Sequence, residues 1–405
     1  MSQQSRWRKI GLDFGVISGA EWLIIVAAFL GRYLLQFYQT SIGYLGSTFG
    51  MNSFEIGIGF ALFTLAFAAS AFIMHRIRPS QLRTAEIIAL TLLGATMPLY
   101  IVVKGYAEVY TLMIIDGLIT GVVMDSFMTM SGMASIDQAR RQVEQAAFSF
   151  WVALALIVAP FTTGYLLGLG IKTLFALFAI MAFIAIPFVV ALRGRYALKY
   201  VEAKGHGGHT SISSLFRNLE FNWAVIAALA YTIPFFIIFS FSYEIGSALG
   251  FTASEVYYLL AAMFVGDVLT RLVVRLKSPI TNRRPYMIAA VTIALLASVF
   301  LALSMVSWIF FILALLIAGI PDGLTWTLGL QIANTSFKRE EIATSTSFFS
   351  SIMMIMSALM PLVGYMFSVV GETYTLTVFA GITAVFFVWE LLLRPINKNK
   401  EVKVQ

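Results

Sequence analysis

The run Thr173-Leu-Phe-Ala-Leu-Phe-Ala-Ile-Met-Ala-Phe-Ile-Ala-Ile-Pro-Phe-Val-Val-Ala-Leu192 contains no charged residue, and it lies between Lys172 and Arg193. An α-helix rises about 1.5 Å per residue, so a run of about twenty residues crosses the roughly 30 Å hydrocarbon core of a bilayer. We therefore interpret this run as a transmembrane helix.

Runs of the same kind recur along the whole sequence. Their centres lie near Ala28, Phe63, Gly94, Gly117, Leu156, Phe178, Ile233, Ala262, Ile293, Leu316, Met356 and Ala384. Of the 405 residues, 60% are hydrophobic and only 12% are charged, too few polar groups for the surface of a soluble domain of this size. The sequence predicts an all-α integral membrane protein with twelve transmembrane helices in a lipid bilayer.

The basic residues indicate how these helices are oriented. If the N-terminus is cytoplasmic, 23 of the 27 Lys and Arg residues fall in segments on the cytoplasmic side, as the excess of Lys and Arg in short cytoplasmic loops requires. The formal charge of +7 then reports orientation and does not indicate a nucleic-acid partner. We predict a multi-pass protein of the cell membrane with both termini in the cytoplasm.

The chain resembles itself at an offset of 200 residues. The matching pairs are Gly46 and Gly246, Ser47 and Ser247, Gly50 and Gly250, Glu55 and Glu255, Pro79 and Pro279, Arg83 and Arg283, Phe148 and Phe348, Gly164 and Gly364, and Tyr165 and Tyr365. An ungapped register across five helices indicates two parallel repeats. We predict six-helix bundles at residues 1–192 and 221–405, joined by a cytoplasmic linker at residues 193–220.

The repeat separates structural acidic residues from functional candidates. Asn52-Ser-Phe-Glu55 and Thr252-Ala-Ser-Glu255 both have the form of a capping box, so these two glutamates are predicted to cap helices. A charge at the bilayer centre costs about 2.5 to 3.5 kcal/mol, so each one retained there suggests a function. Charges without a counterpart in the other repeat lie at similar depth in four helices: Arg32, Asp116, Asp267 and Asp322.

Residues close in sequence to these charges give further indications of their roles. Gly319-Ile-Pro321-Asp322-Gly323 places a helix-interrupting proline beside a carboxylate, which indicates either a binding site that faces a cavity or a packing kink. Trp326 follows Asp322 by four residues, and Gln36 follows Arg32 by four, so each pair shares a helix face. Arg271 likewise follows Asp267, and the two form either a neutralising pair or a gate.

Four segments of the first half have recognisable motifs, namely Arg32–Tyr38, Phe49–Gly57, Asp137–Arg141 and Ala159–Gly164, with a repeat at Lys338–Glu340 and Pro361–Gly364. These segments resemble the Major Facilitator Superfamily. The motifs are degenerate: His75 lies near the usual Asp of the helix 2 to 3 loop, and Ala159-Pro160 replaces the Gly-Pro of the antiporter signature. The resemblance implies that helices 1, 4, 7 and 10 line one central cavity, where Arg32 would hold a carboxylate of the substrate or of Asp116.

The function expected from these features is transport. The sequence has no Walker A motif, catalytic triad or cluster of metal ligands, and it has no cysteine. We expect a secondary active transporter that moves a small organic solute by alternating access with proton coupling, as a monomer that needs no cofactor, metal or nucleic acid. The alternatives are a drug/proton antiporter that exports amphipathic or cationic compounds, and a membrane enzyme or scramblase on the same scaffold.

Roles are predicted for eight residues. The predicted substrate-binding residues are Arg32, Gln36, Asp116, Tyr231, Asp322 and Trp326. Asp322 and Asp116 are the candidates for proton coupling, and Asp267 and Arg271 are the candidates for a gate.

Overall fold

The computed structural model describes residues 19–133, 138–192, 215–337 and 341–393, and every regular element within these ranges is helical. Twelve long helices, α1 to α12 in chain order, are Gly19–Thr48, Ser53–Met74, Leu82–Thr96, Tyr106–Met133, Gln138–Leu166, Ile171–Ala191, Leu219–Ala248, Ala253–Lys277, Arg284–Leu303, Trp308–Thr335, Ile342–Ile355 continued by Met360–Val370, and Glu372–Leu392. The 3-10 turn Met356–Leu359 joins the two parts of α11. Most of the predicted linker lies outside the described residues, and its last two residues already belong to α7.

Membrane-spanning character is general among these helices. Within the described ranges, eleven helices are long and apolar enough to cross a membrane. The remaining long helix, α8, has 25 residues and contains Asp267 and Arg271, which are 0% and 2% exposed. The all-helical membrane fold predicted from the sequence is confirmed. The two mid-helix charges of α8 are buried, while its other face is exposed at the surface of the bundle.

The repeat is visible in the backbone at the start of the second helix of each half. Asn52 and Glu55 form a capping box at the start of α2, and Thr252 and Glu255 form the equivalent box at the start of α8, as predicted. Gly50 and Gly250 precede these boxes with φ of 75° and 88°, which an L side chain rarely adopts. Gly at both positions therefore follows from the same turn geometry in each half.

The two halves contact each other at the end of the bundle that the sequence predicts to be external. A Cβ at Gly43 in α1 would collide with the backbone oxygen of Ser240 in α7. A Cβ at Gly364 in α11 would collide with the backbone oxygen of Ser53 in α2. These glycines let the helices approach at backbone distance, so this face of the bundle is closed.

The halves also contact each other toward the predicted cytoplasmic end. Ser351 in α11 donates a hydrogen bond of 2.8 Å to the backbone oxygen of Ala68 in α2. Nearer the end of α2, a side-chain hydrogen bond of 3.3 Å joins His75 Nδ1 and Thr344 Oγ1. Contacts between the halves therefore lie on both sides of the middle of the bundle.

Candidate functional site

Four charged side chains from three helices meet near the middle of the bundle. We call them the central charge cluster: Arg32 of α1, Asp267 and Arg271 of α8, and Asp322 of α10. Each is at most 6% exposed. Burial of charge at this depth requires compensating partners, and two cations with two carboxylates leave the cluster formally neutral.

Arg271 connects the two carboxylates. Its Nε lies 3.0 Å from both carboxylate oxygens of Asp267, one helical turn away, and its Nη2 lies 3.0 Å from Oδ2 of Asp322. The predicted pair of Asp267 and Arg271 is therefore present, and it extends to a second helix. Arg271 Nη1 also donates to Ser149 Oγ of α5 at 2.9 Å, so this guanidinium links the two halves.

Asp322 has both of its oxygens occupied by protein donors. Oδ2 accepts from Arg271, and Oδ1 accepts from the hydroxyl of Tyr231 in α7 at 2.7 Å. The sequence predicts Tyr231 as a cavity-lining aromatic residue, and the structure places its hydroxyl on the predicted coupling carboxylate.

The glycines around Asp322 have a packing role. A Cβ at Gly319 would collide with the backbone oxygen of Met263, and a Cβ at Gly323 would lie 2.6 Å from that of Asp267. Both glycines thus allow α10 to lie directly against α8. The Gly-Ile-Pro-Asp-Gly segment therefore serves close helix packing as well as the presentation of Asp322 to Arg271.

Both arginines of the cluster lie over the ring of Trp326. Arg32 Cζ is 5.5 Å from the centroid of the Trp326 ring, and Arg271 Cζ is 5.8 Å from it. Arg271 also has ion pairs, whereas Arg32 makes no hydrogen bond or ion pair with the residues that the structure describes. Arg32 is thus the cation of this cluster that has no hydrogen-bond acceptor among the described residues.

Gln36 lies one helical turn from Arg32 and is completely buried. Neither its side-chain oxygen nor its side-chain nitrogen has a hydrogen-bond partner among the described residues. Buried amide groups without partners are rare in proteins and call for an explanation. Together with Arg32, Gln36 provides α1 with adjacent polar groups that are available to a ligand.

Asp116 occupies a different place from the one that the sequence suggests. Its carboxylate accepts hydrogen bonds from Tyr38 of α1 and Thr96 of α3, within the N-terminal half. It forms no ion pair with Arg32, so the structure does not show the pairing that the sequence offers as one of two alternatives. The reason is helix phase: Tyr38 lies six residues from Arg32, about 240° around α1 at about 100° per residue.

Ser149 and Thr327 complete the cluster and were not predicted. Their side-chain oxygens are 2.7 Å apart and share a hydrogen bond between α5 and α10. Because Ser149 accepts from Arg271, its own hydroxyl proton is available for Thr327. Neither residue has a distinguishing sequence signal, since buried hydroxyls are common in the apolar helices of this chain.

An all-helical membrane bundle of two repeats, with ionisable residues at mid-depth between them, has the architecture of an alternating-access transporter. The Major Facilitator Superfamily model matches residues 22–281 and 235–405, so the chain belongs to this family. This membership makes the protein a membrane transporter and not an enzyme.

Solved structures agree with this fold. The human organic anion transporter MFSD10 (TETRAN) superposes with a TM-score of 0.67 at 12% sequence identity, over 92% of this chain and 98% of that chain. A mutant of the nucleoside transporter NupG superposes with a TM-score of 0.71 at 13% identity, over 93% of this chain and 100% of that chain. A search of curated protein sequences finds no match. Similarity at this level of identity establishes the fold and leaves the substrate to be argued from the site.

Proposed function

We propose that this protein is a proton-coupled symporter that takes up a small organic anion, with Arg32 as the anion-binding residue. The observation that carries the proposal is the state of Arg32, a guanidinium only 6% exposed that has no hydrogen bond or ion pair among the described residues. A buried arginine normally has a carboxylate or phosphate partner, because its removal from water costs several kcal/mol. A substrate carboxylate would supply that partner.

Neighbouring groups support an organic ligand. The unpartnered amide of Gln36 lies one turn from Arg32 and can both donate to and accept from a polar substrate group. Trp326 offers an aromatic face at the same place. The predicted substrate site is therefore centred on Arg32, Gln36 and Trp326.

Charge balance supports proton symport. The central charge cluster is neutral before substrate enters, so a bound anion gives the occluded site a net charge of −1. A net charge in a low-dielectric interior is costly, and one proton cancels it. We propose Asp322 as the acceptor of that proton, because Arg271 can then keep Asp267 as its counter-ion.

The same geometry argues against the alternative of cation export. A cationic drug would have to approach Arg32, which no carboxylate of the described residues contacts directly. The closed contacts on both sides support gating by the two halves, and Arg271 is the proposed link at mid-depth through Ser149. Asp116 remains a second candidate for the proton, apart from the cluster.

A ligand screen followed by transport tests the proposal. Purified protein is heated with a panel of organic anions, neutral metabolites and amphipathic cations, since a ligand that binds the folded state raises its apparent stability. We expect anions to give the largest shifts, and their uptake into vesicles to require an inward proton gradient. With a monovalent anion, one-to-one symport should be unaffected by an imposed membrane potential. Stabilisation by cations alone would overturn the proposal.

The cellular setting follows from the basic residues of the loops. We propose that the protein lies in the cell membrane as a monomer with both termini in the cytoplasm. The six-helix bundles at residues 1–192 and 221–405 would then rock around the central charge cluster.

A further inference from the structure

A second polar cluster lies apart from the central charge cluster, toward the predicted cytoplasmic face. Asp125 of α4 is completely buried, eight residues or about 12 Å before the end of its helix. Ser70 of α2 donates a hydrogen bond of 3.0 Å to Asp125 Oδ2. Among the residues that the structure describes, this neutral hydroxyl is the only donor of good geometry to the Asp125 carboxylate, so its buried charge is under-compensated.

Close backbone packing builds one side of this cluster. Gly121 lies one turn before Asp125 on α4, and a Cβ there would be only 2.5 Å from Ser70 Oγ and from the backbone oxygen of Phe67. The glycine thereby lets α2 approach α4 closely enough for Ser70 to reach Asp125. The geometry of the pair is fixed by helix packing.

The C-terminal half provides the other side. The hydroxyls of Ser347 and Ser350 in α11 lie close enough to Asp125 to interact with its carboxylate. Neither hydroxyl completes a hydrogen bond, and Oδ1 of Asp125 also has no partner within the described residues. Both serines are at most 1% exposed, so three buried oxygens converge without a completed hydrogen bond among the described residues.

We propose that Asp125, Ser70, Ser347 and Ser350 form a binding site for a sodium ion. Carboxylate and hydroxyl oxygens are the ligands that hard cations prefer, and each of these side chains can offer one. The site has a single carboxylate, so a monovalent cation leaves it neutral whereas a divalent cation leaves an excess positive charge in the protein interior. Such an ion would be a partner for the lone pairs of these oxygens, and its position explains why Oδ1 of Asp125 and the two serine hydroxyls complete no hydrogen bond among the described residues.

The position of the site gives the ion a structural consequence. Asp125 and Ser70 belong to the N-terminal half, and Ser347 and Ser350 belong to the C-terminal half. A bound ion therefore joins the halves at the predicted cytoplasmic side and stabilises the arrangement in which that side is closed. This inference does not depend on the anion specificity proposed for Arg32.

The test uses the full-length protein and sodium as the probe. Thermal unfolding is followed at increasing NaCl, with choline chloride holding the ionic strength constant, and radioactive sodium binding is measured on the same preparation. We expect a saturable rise of the apparent melting temperature with sodium. Asp125→Asn should abolish this response, and Ser350→Ala should raise the half-saturating sodium concentration about tenfold, the equivalent of about 1.4 kcal/mol for one lost ligand.

Asp116→Asn is the matched control, since Asp116 is a buried aspartate on the same helix whose carboxylate already has two hydroxyl donors. It should retain the full sodium response. If Asp125→Asn does not fold, the sodium dependence of the melting temperature is measured in Ser350→Ala and Ser347→Ala instead. Equal responses to sodium and choline, an unchanged response in the serine variants, or a response to pH without one to sodium would each overturn the proposal.

Discussion

Arg32 lies over the ring of Trp326, with 5.5 Å between its Cζ and the ring centroid, and this contact joins the first helix of the N-terminal half to α10 of the C-terminal half. A cation over an aromatic ring gains about 0.5 to 2 kcal/mol, less than the several kcal/mol that burial of a guanidinium costs. Trp326 therefore orients Arg32 without neutralising it. The rest of the free energy that offsets the burial of Arg32 would come from its ion pair with the proposed substrate anion.

The first prediction concerns Arg32→Lys. A compact ammonium cannot reproduce the two-point geometry of a guanidinium on a carboxylate, so we expect anion affinity to fall about tenfold or more, the equivalent of about 1.4 kcal/mol. Arg284→Lys is the matched control, because Arg284 also lies over a tryptophan, Trp223, at 5.4 Å, but outside the central charge cluster. Affinity measured by thermal shift should be unchanged in the control. If Arg32→Lys binds the anion as tightly as the unmodified protein, Arg32 does not bind substrate and acts only as a buried counter-charge.

The second prediction concerns the partners of Arg271. Arg271→Gln leaves Asp267 and Asp322 buried without their shared cation, which should destabilise the fold by about 3 to 5 kcal/mol. Asp267→Asn should cost less, because Arg271 retains Asp322 at 3.0 Å. Thermal unfolding of the two purified variants in the same detergent shows which of them is the less stable. An Asp267→Asn variant less stable than Arg271→Gln would show that the two carboxylates do not share the arginine as described.

Sequence reasoning recovers the interactions that are local along the chain. Two capping boxes and the pair at Asp267 and Arg271 follow from spacings of three or four residues. The contact between Arg271 and Asp322 joins different helices, so it depends on helix rotation and packing, which spacing alone does not determine. The two glycines around Asp322 show the same limit, because their close approach to α8 is a property of the pair of helices.

Asp116 shows why equal depth does not imply contact. It lies at a depth similar to that of Arg32, yet its carboxylate turns to Tyr38 and Thr96. The rotation of α4 about its axis determines whether Asp116 contacts Arg32 or contacts Tyr38 and Thr96. Because α4 is apolar on nearly all sides, its sequence has no polar face from which that rotation could be predicted. The anchoring hydroxyl of Ser149 is unpredictable for the same reason.

The third prediction concerns closure of the predicted external face. Gly364→Val places a branched side chain against the backbone of Ser53, so the halves should no longer close there. The reporter is Ser240→Cys, at a buried position that packs against Gly43 on the same side of the bundle. Its thiol is unique because the chain has no native cysteine. It should react faster with an impermeant thiol reagent in the Gly364→Val background than without it. Gly381→Ala is the control, since a Cβ there meets nothing within 4 Å; equal rates in all three proteins would contradict the closure assignment.

The fourth prediction concerns orientation. Single cysteines on the predicted external side should react with an impermeant reagent in intact cells, and those on the other side should react only after permeabilisation. The external positions are Ser47, Lys172 and Glu372, and the cytoplasmic ones are Ser80, Lys204 and Lys400, of which the last two lie outside the described residues. Labelling of Ser80→Cys from outside would reverse the proposed topology.

The last prediction concerns Asp322 as the coupling carboxylate. In the structure it accepts from Arg271 and Tyr231. A proton on Asp322 neutralises its carboxylate, and Arg271 then pairs with Asp267 alone. The substrate anion adds a negative charge at Arg32 in the same step, so the net charge of the cluster does not change. Asp322→Asn keeps the size of the side chain but fixes the site in its neutral form. The cluster should therefore bind substrate without needing a proton.

Two measurements on one vesicle preparation separate the consequences. Downhill exchange of substrate requires only that the loaded carrier reorients, so Asp322→Asn should retain it. Accumulation driven by a pH gradient requires a proton to be taken up and released in each cycle, so Asp322→Asn should lose it, and Asp322→Glu should keep part of it with a shifted pH optimum. Asp116→Asn should retain both activities, because Asp116 lies with Tyr38 and Thr96, apart from Arg271. Undiminished accumulation by Asp322→Asn together with its loss in Asp116→Asn would transfer the coupling role to Asp116 and leave Asp322 as the structural partner of Arg271.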